Sequence, residues 1–342
     1  MYTILRPNAE AAAQAAARQQ VLTKPAGALG RLEALSVRLA AMAGRMDWLP
    51  NRRACLVFAG DHGIARQGVS AYPQEVTQQM VLNFLGGGAA VNVLARQMGA
   101  RLVVVDAGVV GDLAPAPGLV IGKVARGTAD LSQAAAMTAA EAEAAFALGA
   151  DVMQVQIAEG LDILAVGEMG IGNTTSASAI VAAITGRPAA EVTGRGTGLD
   201  DAGRLRKVAL VEQALALHAP CAVETLRKVG GFEIGAMAGA MTAAAAARIP
   251  VVIDGFISTA AALIAVQQNE GVRDYLVASH RSVEPGHRAA LEWLGLEPLL
   301  DLDLRLGEGT GALLAMPVIE AAMRTLQEMA TFASAGVSDR AD

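Results

Sequence analysis

Aromatic residues are scarce in this chain of 342 residues. Phe, Trp and Tyr make up 3% of the sequence, although 53% of the residues are hydrophobic and 37 residues are glycine. Small apolar side chains let helices pack closely, so the chain has ample material for a core without many large rings. Because the length exceeds the usual size of a single core, we expect one large domain with a smaller companion.

Cysteine is also rare, with only Cys55 and Cys221 in the sequence. Both lie in apolar segments, and their separation does not match the spacing of metal ligands. We therefore predict two reduced thiols in the core of a cytoplasmic protein. A disulfide between them is the less favoured alternative.

The sequence has no dense basic cluster and no long apolar run. Its net charge is −6, which argues against a nucleic-acid partner. The most apolar long segment, residues 234–247, is about a third too short to span a bilayer, and the N-terminus lacks the pattern of a signal peptide. We therefore predict a soluble protein with no membrane partner. Gly235 and Gly239 predict close helix packing, inside the fold or, less favoured, at a subunit interface.

Six short apolar runs share one pattern, because each ends in small residues and one polar side chain. The polar residues are Asp61, Asp106, Glu168, Asp254, Ser279 and Glu308. This regularity predicts an α/β fold: a mostly parallel, Rossmann-like sheet with helices on both faces and a ligand crevice along the strand ends. Residues 51–311 would form this large substrate-binding domain. Residues 1–50 and 312–342 have helical patterns only, so we expect them to pair as a small helical domain.

Two glycine-rich turns are candidate phosphate sites. Residues 161–178 predict a strand, a glycine turn and a helix that begins near Asn173, where free N–H groups could bind an anion. A turn without a ligand is an equally good interpretation. The second turn, residues 193–201, precedes a helix that carries Lys207 and several arginines. Such charges usually form a solvated helix face, but one of them could neutralise a phosphate. Lys24 is predicted to be a solvated loop charge.

Glu168 and Glu308 are the best candidates for a general base. Each has glycine neighbours and apolar flanks, which would admit a substrate and raise the carboxyl pKa. Asp61 and His62 lack a nearby third ligand, so we predict no metal site there. No nucleophile elbow or dinucleotide fingerprint is present. The pattern favours an enzyme that acts on a phosphorylated organic substrate. A nicotinamide-dependent dehydrogenase and a non-catalytic nucleotide sensor are the alternatives.

Six segments, in this order, resemble the nicotinate-nucleotide:dimethylbenzimidazole phosphoribosyltransferases of cobalamin lower-ligand synthesis. They are FAGDHGIARQGVSAYPQEVTQQM, GEMGIGNTT, GRGTGLDD, VVIDGFIS, SHRSVEPGH and LRLGEGTGA. The resemblance extends from residue 22 to residue 324 and is weaker between residues 113 and 150. It implies a pentosyltransferase that moves phosphoribose from nicotinate mononucleotide to 5,6-dimethylbenzimidazole, giving α-ribazole 5′-phosphate and nicotinate. It also implies inversion at the anomeric carbon, no metal or cofactor, and a homodimer.

The resemblance also implies roles for individual residues. Glu308 matches the catalytic glutamate of the LGEGTGA motif, and Glu168 matches a second functional acid near the ribose and the base. Four residues would contact the benzimidazole: Ser70, Tyr72, Gln79 and Met169. Seven would hold the phosphate and the nicotinate: Gly170, Ile171, Gly172, Asn173, Thr174, Gly196 and Lys207. Asp254 and Ser282 would approach the ribosyl part, with Gly255 and Gly307 as further substrate contacts.

Overall fold

The computed structural model describes residues 2–219 and 224–338. Within them, six strands form one sheet in the order β3-β2-β1-β4-β5-β6, and every neighbouring pair is parallel. The strands are β1 (Arg53–Gly60), β2 (Ala100–Gly108), β3 (Leu119–Ile121), β4 (Ile163–Met169), β5 (Val251–Ile253) and β6 (Leu276–Ala278). The predicted parallel α/β sheet is confirmed. Cys55 is a buried free thiol in β1, whereas Cys221 lies outside the described residues.

Helices surround this sheet. They are α1 (Ala9–Val21), α2 (Arg31–Ala43), α3 (Val76–Leu85), α4 (Ala90–Met98), α5 (Ala139–Ala158), α6 (Asn173–Thr185), α7 (Ala189–Val192), α8 (Asp201–His218), α9 (Thr225–Val229), α10 (Phe232–Ala246), α11 (Phe256–Gln268), α12 (Pro285–Leu294), α13 (Thr310–Glu328) and α14 (Phe332–Ala335). Nearly every residue of β1 and β4 is buried. Because successive side chains of a strand point to opposite faces, both faces of the sheet are covered. In the described residues, no helix is long and apolar enough to cross a membrane.

The strand order reverses at β1, which pairs with β2 on one side and β4 on the other. In open α/β sheets a crevice forms at such a reversal, outside the carboxyl ends of the strands. The β4 end carries Glu168, so the topology places one candidate acid at this crevice.

The apolar run that precedes Glu308, residues 302–306, was expected to be the last strand of the sheet, and this prediction is wrong. The chain pairs with the end of β6 only as far as Leu300, whose N–H donates to Ser279 O at 2.9 Å. Asp303 then adopts a φ of +54°, which breaks the extended backbone. Leu302 and Leu306 are more than half exposed, so no core holds the segment as a strand. The sixth strand is instead β3, at the opposite edge, in a region rich in glycine and proline.

The terminal helices contact each other through α1 and α13. Arg18 of α1 donates to Leu326 O at 2.5 Å and to Gln327 O at 2.9 Å, so its charge caps the carboxyl end of α13. However, Leu39 of α2 and Ile319 of α13 belong to the same hydrophobic core as the sheet. The division into two domains therefore stays a prediction.

The expectation for Lys24 is wrong. Its side chain is buried, and Nζ lies 2.8 Å from Glu33 Oε1. The physical reason is that a segment distant in the sequence covers this loop. Leu22 forms a β-bridge with Thr331, so the C-terminal segment lies across the loop that carries Lys24.

Close packing of α10 takes place inside the fold, as the favoured interpretation predicted. A Cβ atom on Gly239 would lie 1.9 Å from Phe146 O of α5, and one on Gly149 would lie 1.7 Å from Ala236 O. Only glycine allows the two backbones to approach this closely.

Candidate active site

A cavity of about 470 Å³ lies at the carboxyl ends of β4, β5 and β6. Most of the residues that the sequence analysis selected lie in its lining. They are Tyr72, Glu168, Met169, Gly170, Ile171, Asn173, Thr174, Gly196, Gly255, Ser282, Gly307 and Glu308. The volume and the mixture of apolar and polar groups are typical of a small-molecule site.

The turn after β4 sets the position of Glu168. Gly172 has a φ of +98° and precedes α6 as its N-cap, so the predicted strand, glycine turn and helix are confirmed. The side-chain amide of Asn173, the first residue of α6, donates to the Glu168 carboxylate. Burial raises the pKa of Glu168 to about 8, and the charges of Asp254 and Glu233 add to the effect. Glu168 is therefore mostly protonated at neutral pH.

Glu308 lies in a turn with unusual backbone geometry. Gly307, Glu308 and Gly309 have φ angles of +85°, +65° and +95°. Positive φ is costly for a residue with a Cβ atom, and such strain is concentrated at functional sites. Burial raises the pKa of the Glu308 carboxyl above its usual range, and the backbone N–H of Val91 opposes that rise. The Oε2 atom has no hydrogen-bond partner within the described residues.

Lys207 of α8 joins the two glycine-rich turns. Its side chain is fully buried, and Nζ donates to Thr174 Oγ1 at 2.6 Å. A Cβ atom on Gly196 would lie 3.2 Å from the same Nζ. Burial lowers the pKa of Lys207 to about 8, while the charge of Glu284 opposes this shift. Lys207 thus lies directly behind the lining and is not part of a solvated helix face.

The second glycine turn is itself held by acidic and basic side chains. The N–H of Gly196 donates to Glu284 Oε1 at 2.9 Å, so this N–H is already satisfied. Arg305 donates to Gly196 O at 3.4 Å from the other side. Arg305 also lines the cavity and supplies an exposed guanidinium at its edge. A phosphate at this turn would meet Thr174, Thr197 and Arg305 before Lys207.

Two of the residues expected at the benzimidazole lie outside the lining. Ser70 Oγ lies 3.0 Å from Thr197 Oγ1 and accepts from the N–H of Tyr72, so it fastens the Tyr72 loop to the second turn. Gln79 is exposed on α3. Val76 and Met80 line the cavity instead, because residues four apart share one face of a helix.

Gly172, Lys207 and Asp254 also lie behind the lining. Asp254 is 2% exposed and follows β5. Burial raises its pKa to about 7, and backbone N–H groups, first that of Gly309, lower it.

His280, Glu284 and Phe256 line the cavity but were not selected from the sequence. His280 Nδ1 lies 3.0 Å from Ser279 Oγ and 3.7 Å from Asp254 Oδ1. Burial lowers the pKa of His280 to about 4, so the ring is neutral. The available signal was the segment SHRSVEPGH, which places a histidine and a glutamate directly after a strand.

Asp61 and His62, at the end of β1, take structural positions. Asp61 Oδ2 accepts from Val110 N at 2.8 Å. His62 is fully buried between Ser176 Oγ, 3.0 Å from Nδ1, and Glu233 Oε1, 2.6 Å from Nε2. Across residues 2–219 and 224–338, no group of three or more His, Cys, Asp or Glu side chains could hold a metal ion.

Comparison with known proteins identifies the class of protein that this fold and site define. A family model described as phosphoribosyltransferase matches residues 4–337. A nicotinate-nucleotide–dimethylbenzimidazole phosphoribosyltransferase of Chloroflexus aggregans is 59% identical over 334 residues, which cover 97% of this chain and 95% of the relative. One of the same name from Roseiflexus sp. strain RS-1 is 59% identical over 335 residues, with the same coverage.

Two solved structures show the same similarity as these sequence relatives. The crystal structure of the enzyme of this name from Thermus thermophilus superposes with a TM-score of 0.93 at 51% identity, covering 97% of this chain and all of the other. A further structure from that organism, named CobT, gives a TM-score of 0.94 at 52% identity, with the same coverage. The chain belongs to the nicotinate-nucleotide–dimethylbenzimidazole phosphoribosyltransferase family.

Proposed function

We propose that this protein transfers the phosphoribosyl group of nicotinate mononucleotide to 5,6-dimethylbenzimidazole, releasing nicotinate and forming α-ribazole 5′-phosphate. The names of its relatives support this reaction. The observation that carries the chemistry is Glu308, a buried carboxylate in a strained turn at the cavity, one oxygen of which has no hydrogen-bond partner in the part of the chain that the structure describes.

Glu308 is the proposed general base. As one ring nitrogen of the benzimidazole attacks C1′ of the ribose, the N–H of the imidazole ring must lose its proton, and Glu308 accepts it. Burial makes this carboxylate a stronger base than one in water, since its pKa is raised. The base thus needs no hydroxide or metal to activate it.

The leaving group makes one catalytic residue sufficient. The nitrogen of the nicotinate ring carries a positive charge in the nucleotide. When the C1′–N bond breaks, its electron pair moves to that nitrogen, and nicotinate departs with a neutral ring nitrogen. No acid has to protonate it. Attack from the face opposite the departing ring converts the β-riboside into an α-riboside. A single displacement with inversion follows, without a covalent enzyme intermediate.

Glu168 has a different proposed role, although it is the same residue type. Its pKa of about 8 keeps it protonated at neutral pH. A neutral carboxyl adds no second negative charge beside Glu308, and its O–H can donate to the sugar or the base. Two carboxyls whose surroundings separate their pKa values can divide acid and base functions in this way.

The phosphate is proposed to bind between the two glycine-rich turns, near Gly170, Thr174 and Gly196, with Lys207 behind them. Lys207 supplies the buried positive charge that an anion needs in a site of low dielectric. Gly172 and Asn173 begin α6, whose amino end favours negative charge. Ser282, Gly255 and Gly307 lie in the lining where the sugar would connect phosphate and base.

The benzimidazole is proposed to occupy the apolar part of the lining. Tyr72, Val76, Met80 and Met169 supply a surface suited to a flat aromatic ring. Tyr72 is 55% exposed, so it lies at the entrance and can move when a base enters. Ser70 would act through the Tyr72 loop, and Gln79 would require a change of conformation to reach the ring.

The test is direct. The purified protein is incubated with both substrates without added metal, and the products are identified by mass spectrometry. Nicotinate and α-ribazole phosphate in equal amounts would support the proposal, whereas the absence of both with folded protein would refute it. We also propose the cytoplasmic homodimer implied by the resemblance, for which sedimentation equilibrium measures the mass in solution.

A further inference from the structure

Within the described residues, the Asp254 carboxylate accepts its hydrogen bonds from backbone N–H groups. Its Oδ2 accepts from Gly309 N at 3.0 Å, and its Oδ1 accepts from Gly311 N at 2.7 Å and Ala312 N at 3.2 Å. The backbone N–H of Gly255 also lowers the pKa of this carboxyl. A carboxylate offers about four lone-pair positions, so little acceptor capacity is left for a ligand. Asp254 is also buried behind the lining of the cavity.

The groups that Asp254 binds are those that begin α13. Gly309 is the N-cap of this helix, and Gly311 and Ala312 lie in its first turn. These N–H groups have no partners within a helix, and a negative charge at this end interacts favourably with the helix dipole. The Gly309 N-cap has no side chain, so a carboxylate from the end of β5 takes the place of the usual capping side chain.

The turn held in this way is the one that carries Glu308. Three successive positive φ angles make Gly307, Glu308 and Gly309 an improbable local conformation, which persists only where the surroundings fix it. Two contacts do so. The carbonyl of Glu308 packs against Gly167, where a Cβ atom would lie 2.1 Å from it. Asp254 binds the backbone immediately after Glu308.

We propose that Asp254 is a positioning residue for the transfer reaction: it holds the turn at residues 307–309 so that the Glu308 carboxylate faces the substrates, and it does not contact the sugar. This inference rests on the proposed role of Glu308. It replaces the sugar contact that the resemblance implied for Asp254.

The first test is the Asp254→Asn variant. An asparagine keeps one acceptor oxygen but presents an NH₂ group to at least one backbone N–H, so the turn loses its fixed position. We expect kcat to fall about ten- to hundredfold, because small misplacements of a reacting group have effects of this size. The KM for nicotinate mononucleotide should stay within about twofold. A raised KM with unchanged kcat would show a sugar contact and overturn the proposal.

Asp106→Asn is the matched control. Asp106 is a buried carboxylate at the end of β2 that accepts from Val109 N at 2.9 Å and lies 3.4 Å from Lys123 Nζ, so it also holds loop backbone, but at a loop without Glu308. This variant should lower the melting temperature and leave kcat within about twofold. A comparable loss of kcat in both variants would show a general structural effect and contradict the proposal.

A double variant tests whether Asp254 acts through Glu308. Once Glu308→Gln has removed the base, adding Asp254→Asn should cost less than about twofold in kcat. Additive losses would contradict the inference. Should Asp254→Asn fail to fold, Asp254→Ser, which keeps one hydroxyl acceptor in less volume, serves in both measurements.

Hydrogen exchange separates this inference from the proposed function. The amides of residues 309–312 should exchange faster in Asp254→Asn than in Asp106→Asn, whatever the activity. If the unmodified protein formed no product, the proposed function would fail, and the exchange rates would still decide whether Asp254 fixes the turn. Unchanged exchange would overturn the positioning role.

Discussion

The Glu168 carboxylate packs against Gly307, the residue that precedes Glu308. A Cβ atom on Gly307 would lie 2.3 Å from Glu168 Oε1. Two acidic residues that are far apart in the sequence are therefore separated at the site by one residue that has no side chain. The Glu168 carboxylate thus leaves no room for a side chain at position 307, directly before Glu308.

Substitution of Gly307 by alanine should impair the site. The new methyl group meets Glu168, and the φ of +85° is unfavourable for alanine. We expect kcat to fall at least about tenfold and stability to drop by about 1–3 kcal/mol. Gly295→Ala is the control, because Gly295 has a φ of +67° with open space around it, at the end of α12. The control should lose stability only. Equal kcat values in the two variants would contradict the role of the contact.

Glu308→Gln should abolish most turnover while substrates still bind. The amide keeps the shape but cannot accept a proton, so kcat should fall by about two to four powers of ten. Calorimetry should give an unchanged affinity for nicotinate mononucleotide. Glu297→Gln, at an exposed carboxylate, is the control. Nearly intact turnover in Glu308→Gln would remove the base assignment. A nucleotide sensor would instead bind nicotinate mononucleotide without turnover, and Glu308→Gln would leave that binding intact.

Lys207→Met should weaken binding of the nucleotide more than binding of the benzimidazole. Methionine preserves the buried stem but removes the charge that a phosphate would meet, and we expect a loss of about ten- to hundredfold in affinity for the nucleotide. Titration calorimetry with each substrate measures both effects. Arg206→Ala, at an exposed neighbour on α8, should change neither. An equal loss for the two substrates would take Lys207 out of the phosphate site.

Glu168 should make stability depend on pH. Its pKa is about 8 in the folded protein and near 4.5 when unfolded. Between these values the folded state holds a proton that the unfolded state has lost, so unfolding becomes easier as pH rises from 4.5 to 8. Glu168→Gln removes this effect. Its stability relative to the unmodified protein should therefore increase from about pH 5 to about pH 8, by on the order of 2–4 kcal/mol.

Chemical denaturation at several pH values measures the difference. A constant difference across this range would show that Glu168 is ionised in the folded protein. Asp106→Asn provides a comparison at a second buried acid. Burial raises the pKa of the Asp106 carboxyl as well, so the stability of this variant relative to the unmodified protein should also increase with pH.

The sheet was predictable where burial leaves a plain pattern. β1 and β4 are continuous apolar runs because both of their faces are covered. The edges were not predictable to the same degree. β3 has three residues and pairs on one side only, whereas residues 302–306 look like a strand but turn at Asp303. Whether an edge segment pairs depends on its neighbours, which a local pattern does not contain.

The acids and the glycine turns of the site were predictable. Each follows an apolar run that forms or resembles a buried strand, and ligands bind at the carboxyl ends of such strands. Lys24 shows what a local pattern misses, since the segment that covers it lies near the other end of the chain. The positions of His280 and Glu284 in the lining of the cavity likewise depend on the convergence of separate loops. Asp254 was found from its place after a strand, but only the structure reveals that its partners are the N–H groups of α13.

The bonds from Arg18 to the end of α13 also join two parts of the chain that are synthesised far apart in time. Arg18 and its acceptor Leu326 are 308 positions apart, so α1 can make these bonds only after residue 326 has been synthesised. Glu308 lies directly before α13, and the N–H groups that Asp254 binds belong to Gly309, Gly311 and Ala312, at the start of that helix. A chain that is cut short just after Glu308 would contain all six strands described here but would lack these N–H groups, so we expect its Glu308 turn to be unordered.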